Sequence, residues 1–261
     1  MRSSFLCSLA LTLLLSATGH AQPTPARQAP PKIIHVFVAL CDNASQGIVK
    51  VPAAIGNGDD AAGNLYWGCA DGAKTVFSGS HNWVRLRVEE KPAPAVLERA
   101  VFEHRTRRAY LVADAYRGRE IRQALTDFLQ AAAGGPVTSV PAGSRSLRAG
   151  GGADLVAYIG HNGLMDFKLP AIPAGPASGK SVIVLCCRSH EYFYRRLRQS
   201  GATPLLTTTQ FMYPGAFILH DVLEGWLAGK PAAELRQHAA SAYAANQKIG
   251  ERAAAGVFSA E

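Results

Sequence analysis

Two residue types able to carry covalent chemistry sit at the ends of two short apolar runs. The first run, Ala153 to Ile159, leads into Gly160-His161-Asn162-Gly163. The second, Ser181 to Leu185, leads into Cys186-Cys187-Arg188-Ser189. A thiol attacks as its thiolate, and a nearby histidine is a common base for making one. Both runs are short and rich in β-branched residues, the pattern of buried strands in a parallel sheet. Open α/β sheets carry their chemistry just beyond the carboxyl ends of the strands. If the two strands are neighbours, His161 and Cys187 share one rim.

Alternation along a strand end puts Cys186 and Cys187 on opposite sides. One of them is then a small core residue, the ordinary fate of a cysteine after a buried strand. Cys187 is the better nucleophile, because a helix follows it. Ser189 reads as the N-cap, Glu191 falls in the first turn, Phe193 and Leu197 face inward, and Gly201 ends the helix. The N–H groups at such a helix start favour a thiolate and can stabilise an oxyanion on a substrate. His161 is flanked by Gly160 and Gly163, which let backbone and substrate approach closely. Asp166 either orients His161 or begins a short hairpin with Phe167 to Leu169, and the hairpin is the preferred reading.

Together these blocks resemble the caspase-like cysteine peptidases, the superfamily of caspases, metacaspases, legumains and gingipains. Tyr158-Ile-Gly-His-Asn-Gly163 is similar to the strand that ends in His-Gly in that group. Ile183-Val-Leu-Cys-Cys-Arg-Ser189 is similar to the strand that ends in Ala-Cys. Asn64-Leu-Tyr-Trp-Gly68 and Leu164-Met-Asp166 also look like a set of exported bacterial proteins within the group. The resemblance implies an α/β three-layer sandwich with a mostly parallel central sheet. It implies peptide-bond cleavage through an acyl-enzyme, with a peptide or protein substrate and no metal or other cofactor. Carried over by position, it makes His161 the base and acid and Cys187 the nucleophile, with Cys186 in place of the usual small residue. The Gly160 backbone and the Cys187 N–H are where such an enzyme builds its oxyanion site. Asn162 stands where the group has a glycine, which alters that site, and Leu185 replaces a frequent acidic or amide residue. Asp42, just past the first strand, holds a position that sets specificity in this group. An acidic pocket for Lys or Arg and a solvated loop aspartate are equal alternatives for it.

Patterning supplies the elements that must position this pair. Residues 1–21 read as a secretory signal peptide: Arg2 is a positive start, Phe5 to Ala17 is apolar but too short to span a bilayer, and Gly19-His20-Ala21 offers a cleavage site. The protein is thus expected in the periplasm or outside the cell, with no membrane span. Residues 22–31 form a Pro-rich tether and 32–261 a single α/β domain. Lys32 to Leu40 is an apolar first strand ending in Cys41-Asp42-Asn43. Asp59 is placed to cap a helix through Leu65, Tyr66 and Trp67. Thr75 to Phe77 and Trp83 to Val88 read as strands, and Pro94 to His104 as a helix on the spacing of Leu97 and Val101. Ala109 to Ala113 is a strand with Asp114 at its end, and Gly118 to Ala133 is a helix. Gly134 to Gly152 reads as a flexible connector; its glycines precede a strand, the wrong order for a phosphate cradle. Pro204 to Thr207 is a further strand. Pro214 opens a helix that buries Phe217, Ile218, Val222, Leu223 and Trp226. Pro231 opens the last helix, with Leu235, Ala239, Tyr243 and Ile249 facing inward.

The formal net charge is +8. Its Arg clusters lie at or beside expected helices, which reads as solvated faces and not as a nucleic-acid footprint. In an oxidising compartment Cys41 and Cys69 are the natural disulfide pair. Two other function classes compete with a peptidase. Adjacent cysteines make a poor thiol-redox pair, and no spaced His/Cys cluster suggests zinc. A non-catalytic peptide- or protein-binding module on the same scaffold is the alternative that Asn162 and Leu185 favour.

Overall fold

The strand β1 (Lys32–Ala39) is the axis of the fold, and every residue after Lys32 in it is buried. Its apolar run, interrupted only by His35, suits a strand covered on both faces. It pairs in parallel with β4 (Ala109–Tyr116) on one side and β7 (Leu155–Ile159) on the other. Beyond β7 the parallel set continues through β8 (Ser181–Leu185) and β9 (Thr203–Thr208). Past β4 lie the antiparallel β3 (Val96–His104) and β2 (Trp83–Ala93), and β2 carries register breaks between Arg85 and Arg87 and between Glu90 and Ala93. The two-residue β10 (Phe258–Ser259) pairs antiparallel with β9, so the order is β10-β9-β8-β7-β1-β4-β3-β2. This order is that of a computed structural model, which describes residues 29–173, 175 and 179–259. The leader and residues 22–28 of the tether lie outside the described residues.

Helices cover both faces of the sheet. On one face Ile34, Val36, Val38, Ile159 and Leu185 pack with α1 (Ala73–Gly79), α4 (Ala216–Leu227) and α5 (Ala232–Gln247). On the other, Ile33, Phe37, Tyr158 and Cys186 pack with α2 (Ile121–Ala132), α3 (Ser189–Gln199) and a hairpin of β5 (Val137–Ala142) and β6 (Arg145–Gly150). The result is a three-layer α/β arrangement with a mostly parallel central sheet. Among the described residues no helix is long and apolar enough to cross a membrane, and no group of His, Cys, Asp and Glu is arranged to hold a metal ion.

Several expected elements differ. Thr75 to Phe77 belongs to α1, because the Lys74 and Thr75 N–H groups bond back to the Trp67 carbonyl and Phe77 seats 5.7 Å from Trp83, ring to ring. Pro94 to His104 is strand, not helix. Ala100, Val101 and Phe102 are all buried there, so no two-residue alternation distinguishes a strand. The Gly134 to Gly152 connector is the β5–β6 hairpin. Gly143 turns it at φ 58°, a left-handed value that glycine adopts without steric cost, and Val140, Ala142, Leu147 and Ala149 face the core. Lys248, at φ 56°, ends α5 before Ile249, which is left exposed. The chain then forms α6 (Glu251–Ala255) and β10. Phe217 and Trp226 are only half-buried on α4, while Ile218, Val222 and Leu223 are fully enclosed.

Asp59 caps no helix. Its carboxylate takes Arg117 at 2.6 Å and Arg119 at 2.5 Å. The loop that follows is organised by Asn64, which is fully buried. Its Oδ1 accepts the Cys41 and Tyr66 N–H groups at 3.0 and 3.1 Å, and its Nδ2 donates to the Cys41 and Asn57 carbonyls at 2.8 and 3.0 Å. A buried amide satisfied on all sides pins this loop to the rim beyond β1.

The expected Cys41–Cys69 disulfide is not formed, and both thiols are free. Cys69 donates to the Gly63 carbonyl at 3.1 Å, while the Cys41 thiol is buried beside the Tyr66 hydroxyl. Burial pushes the Cys41 thiol up from 9.0 to about 11. An acid whose folded pKa is raised stabilises the fold fully below its unfolded pKa and ceases to as pH rises through the folded value. The urea midpoint should therefore fall between pH 9 and 11, and Cys41→Ala should flatten that fall. Identical pH profiles for the two proteins would remove Cys41 as the cause.

Candidate active site

The strands β7 and β8 are adjacent, parallel and in register, with Ile159 opposite Leu185 as their last pair. His161 and Cys187 each lie two residues beyond that pair, on the same rim. Between Ile159 and His161 the chain passes through Gly160 at φ 153°. A Cβ there would lie 2.9 Å from the Ala39 carbonyl oxygen, so the position excludes a side chain. The Gly160 N–H donates to the Leu185 carbonyl at 3.3 Å. That bond extends the ladder by one step and commits the N–H that the oxyanion site was expected to use.

His161 is held from two directions. The Tyr158 hydroxyl donates to its backbone carbonyl at 2.8 Å, and its Nε2 lies 2.7 Å from Asp166 Oδ2. Asp166 also accepts the Gly47 N–H at 3.1 Å, so the loop after β1 braces it. The preferred reading of Asp166 as a hairpin residue is therefore corrected, since residues 167–170 form no strand. A carboxylate on Nε2 fixes the tautomer with its proton there and leaves the Nδ1 lone pair as the basic site.

Asn162 joins the base segment to the nucleophile segment. It is fully buried, its Nδ2 donates to the Cys187 carbonyl at 2.7 Å, and its Oδ1 accepts the Leu164 N–H at 3.2 Å. Glycine at this position makes neither contact. Asn162→Ala leaves the Cys187 carbonyl without its donor, which should cost about 1–3 kcal/mol. Urea unfolding of this variant against wild type measures the loss, and no change in midpoint would show that the contact contributes nothing.

The two cysteines have separate surroundings. Cys186 is completely enclosed, and burial pushes its thiol well above the ordinary range. Cys187 is partly exposed, with Sγ 3.4 Å from the Met212 N–H nitrogen and 3.5 Å from the Met212 carbonyl oxygen. Its own N–H has no acceptor among the described residues. Arg188 makes that turn in the left-handed region at φ 49°, a costly conformation for a residue with a Cβ. Its N–H bonds to the Gln210 carbonyl at 2.9 Å, and its guanidinium pairs with Glu191 at 2.5 Å. Ser189, the expected N-cap, instead donates its hydroxyl to the Val184 carbonyl and accepts the Thr208 N–H, both at 2.8 Å. It anchors α3 to β8 and β9. Leu185 lies inside the core, away from any substrate.

Asp42 lies on the loop after β1, and its carboxylate is engaged by its own turn. It accepts the Ala44 N–H at 2.9 Å and the Ser45 hydroxyl at 2.5 Å, and among the described residues it contacts neither His161 nor Cys187. Reasoning from sequence therefore brought His161 and Cys187 to one rim but left out three contributors. The brace from Gly47 and the Met212 backbone have no side-chain signal, while Asn162 was visible as a departure from glycine. No protein-family model, curated protein or solved structure matches the chain.

Proposed function

We propose that this chain is an exported cysteine endopeptidase of the caspase-like kind, with Cys187 as nucleophile and His161 as its acid–base partner. The observation that carries the reading is the register of β7 and β8, which sets His161 and Cys187 at one rim, with Asp166 on Nε2 of the imidazole. Cys187 Sγ attacks the scissile carbonyl, and the thiol proton passes through His161 to the leaving amine. Water, deprotonated by His161, then cleaves the thioester and restores the thiol. The unengaged Cys187 N–H supplies an oxyanion donor, while Gly160 contributes close approach and not its N–H. Met212 must release the sulfur before attack.

Mapping with iodoacetamide at slightly acid pH tests the reading. Cys187 should be alkylated much faster than Cys41 or Cys69, and fluorogenic peptides should be cleaved. Equal rates at all three thiols would sink it. Specificity for Lys or Arg at P1 through Asp42 belongs to the same reading, and peptides differing only at P1 test that part; indifference to them removes Asp42 from the site. Export rests on the leader at residues 1–21 and is tested by cell fractionation.

A second reading, a peptide-binding module without turnover, draws on the Met212 backbone holding Cys187 Sγ and on the committed Gly160 N–H. It predicts peptide binding with no acyl-enzyme. A vicinal thiol-redox role is disfavoured because Cys186 is wholly enclosed.

A further inference from the structure

A cavity of about 610 Å³ opens on the α2 face of the sheet, and Cys187 and His161 are not among its lining residues. That volume is in the range of small-molecule sites. Its walls differ in chemistry. Pro92 at the end of β2, Pro94 on the turn that follows and Val96 at the start of β3 make an apolar side. The α2 side and the end of β4 present Tyr116, Gln123 and Asp127. The floor holds Arg99 and Asp114, whose charges cancel in a two-point ion pair at 2.6 and 2.7 Å.

Asp127 is the group without a charge partner. Its Oδ2 accepts the Tyr116 hydroxyl at 2.9 Å and its Oδ1 accepts the Gln123 amide at 2.7 Å. Both donors are neutral, and among the described residues Asp127 makes no ion pair with Lys, Arg or His. Burial, followed by Asp114 and Asp127, pushes the Tyr116 phenol up, so it remains a donor. The carboxylate is thus oriented at the cavity wall by two hydrogen bonds from neutral donors. In a protein of net charge +8, this cavity carries an acidic group beside an apolar side. Such a pairing selects a positive head on a short hydrocarbon stem.

We propose that this cavity binds a small organic cation, a primary amine or guanidinium on a short apolar stem, with Asp127 as its counter-ion. The stem lies along Pro92, Pro94 and Val96, and the head replaces cavity water beside Asp127. The site is independent of the peptidase reading, since it draws on none of the same residues.

Titration calorimetry of the full chain with 1-pentylamine and with pentylguanidine tests it, using 1-pentanol and pentanoate as neutral and anionic controls. Pentylamine or pentylguanidine should bind in preference to both controls, Asp127→Asn should weaken binding at least tenfold, and Cys187→Ala should leave it unchanged. Ala93→Phe, which narrows the opening from the rim, should abolish it and gives an answer even if Asp127→Asn fails to fold. Absence of amine binding, equal binding of 1-pentanol or pentanoate, or full affinity in Ala93→Phe would each overturn the proposal.

Discussion

Asp114→Ala should lower the unfolding free energy by about 3–5 kcal/mol, the range for stripping one partner from a buried ion pair. Asp114 is 1% exposed and sits inside β4, where the sequence places it at a strand end. It accepts Arg99 Nε and Nη2 at 2.6 and 2.7 Å and His35 Nε2 at 3.1 Å. His35 Nδ1 in turn accepts the Gly150 N–H at 2.9 Å, so the proton must be on Nε2 and the imidazole is neutral. Removal of the carboxylate leaves a guanidinium without its counter-ion and an imidazole N–H without its acceptor. Replacing both members, as Asp114→Leu with Arg99→Met, should cost less than Asp114→Ala alone, because no charge is then stranded. Urea unfolding of the single and double variants measures this, and a single-variant loss below about 1 kcal/mol would contradict it. Burial raises the Asp114 pKa, yet the hydrogen bonds from Arg99 and His35 outweigh burial and hold it below 3.8. A depressed carboxyl contributes fully above its unfolded pKa, so this stability persists at neutral pH and is lost as acid reaches the lowered value.

His161→Ala should slow peptide cleavage by roughly 10²–10⁴-fold, the usual contribution of a positioned acid–base group. Cys187→Ala should abolish the acyl-enzyme. Cys186→Ala, by contrast, should retain turnover in whatever fraction folds, since its sulfur is enclosed in the core. Asp166 is a positioning residue that acts only through the imidazole, so Asp166→Asn should cause a smaller loss than His161→Ala. Adding Asp166→Asn to His161→Ala should then cause no further loss, as expected of residues working as one unit. Single-turnover acylation rates of the wild type, the two single variants at His161 and Asp166 and their double variant decide the matter. Additive losses would show that Asp166 acts on substrate or fold by another route.

The parts of the fold that were legible in the sequence were those with one competing pattern. β1, β7 and β8 are short, mostly apolar runs with β-branched residues, and α2 carries a wide apolar stripe closed by Gly134, so each had a single reading. Leu97 and Val101 satisfied helical spacing within a strand that buries successive residues, and nothing local opposed it. Thr75 to Phe77 carries strand-forming residues, yet backbone bonds to Trp67 and the seating of Phe77 override that propensity. The hairpin in 134–152 was hidden by composition, although Val140, Ala142, Leu147 and Ala149 mark its apolar side. At the rim, residue type alone pointed to His161 and Cys187. The lacing by Asn162 and the brace from Gly47 through Asp166 required three-dimensional neighbours far apart in the chain.

The two broken registers of β2 have a consequence for how copies of the protein meet. That strand ends the sheet with Arg85, Arg87, Glu89, Glu90 and Lys91 along it, a left-handed Lys91 and then Pro92, which has no N–H to offer. At the opposite margin β10 presents only two paired residues. A straight, apolar margin would invite a second molecule to extend the sheet, whereas a kinked and charged one does not. The eight-stranded sheet thus offers little straight, apolar margin along which a second copy could add strands.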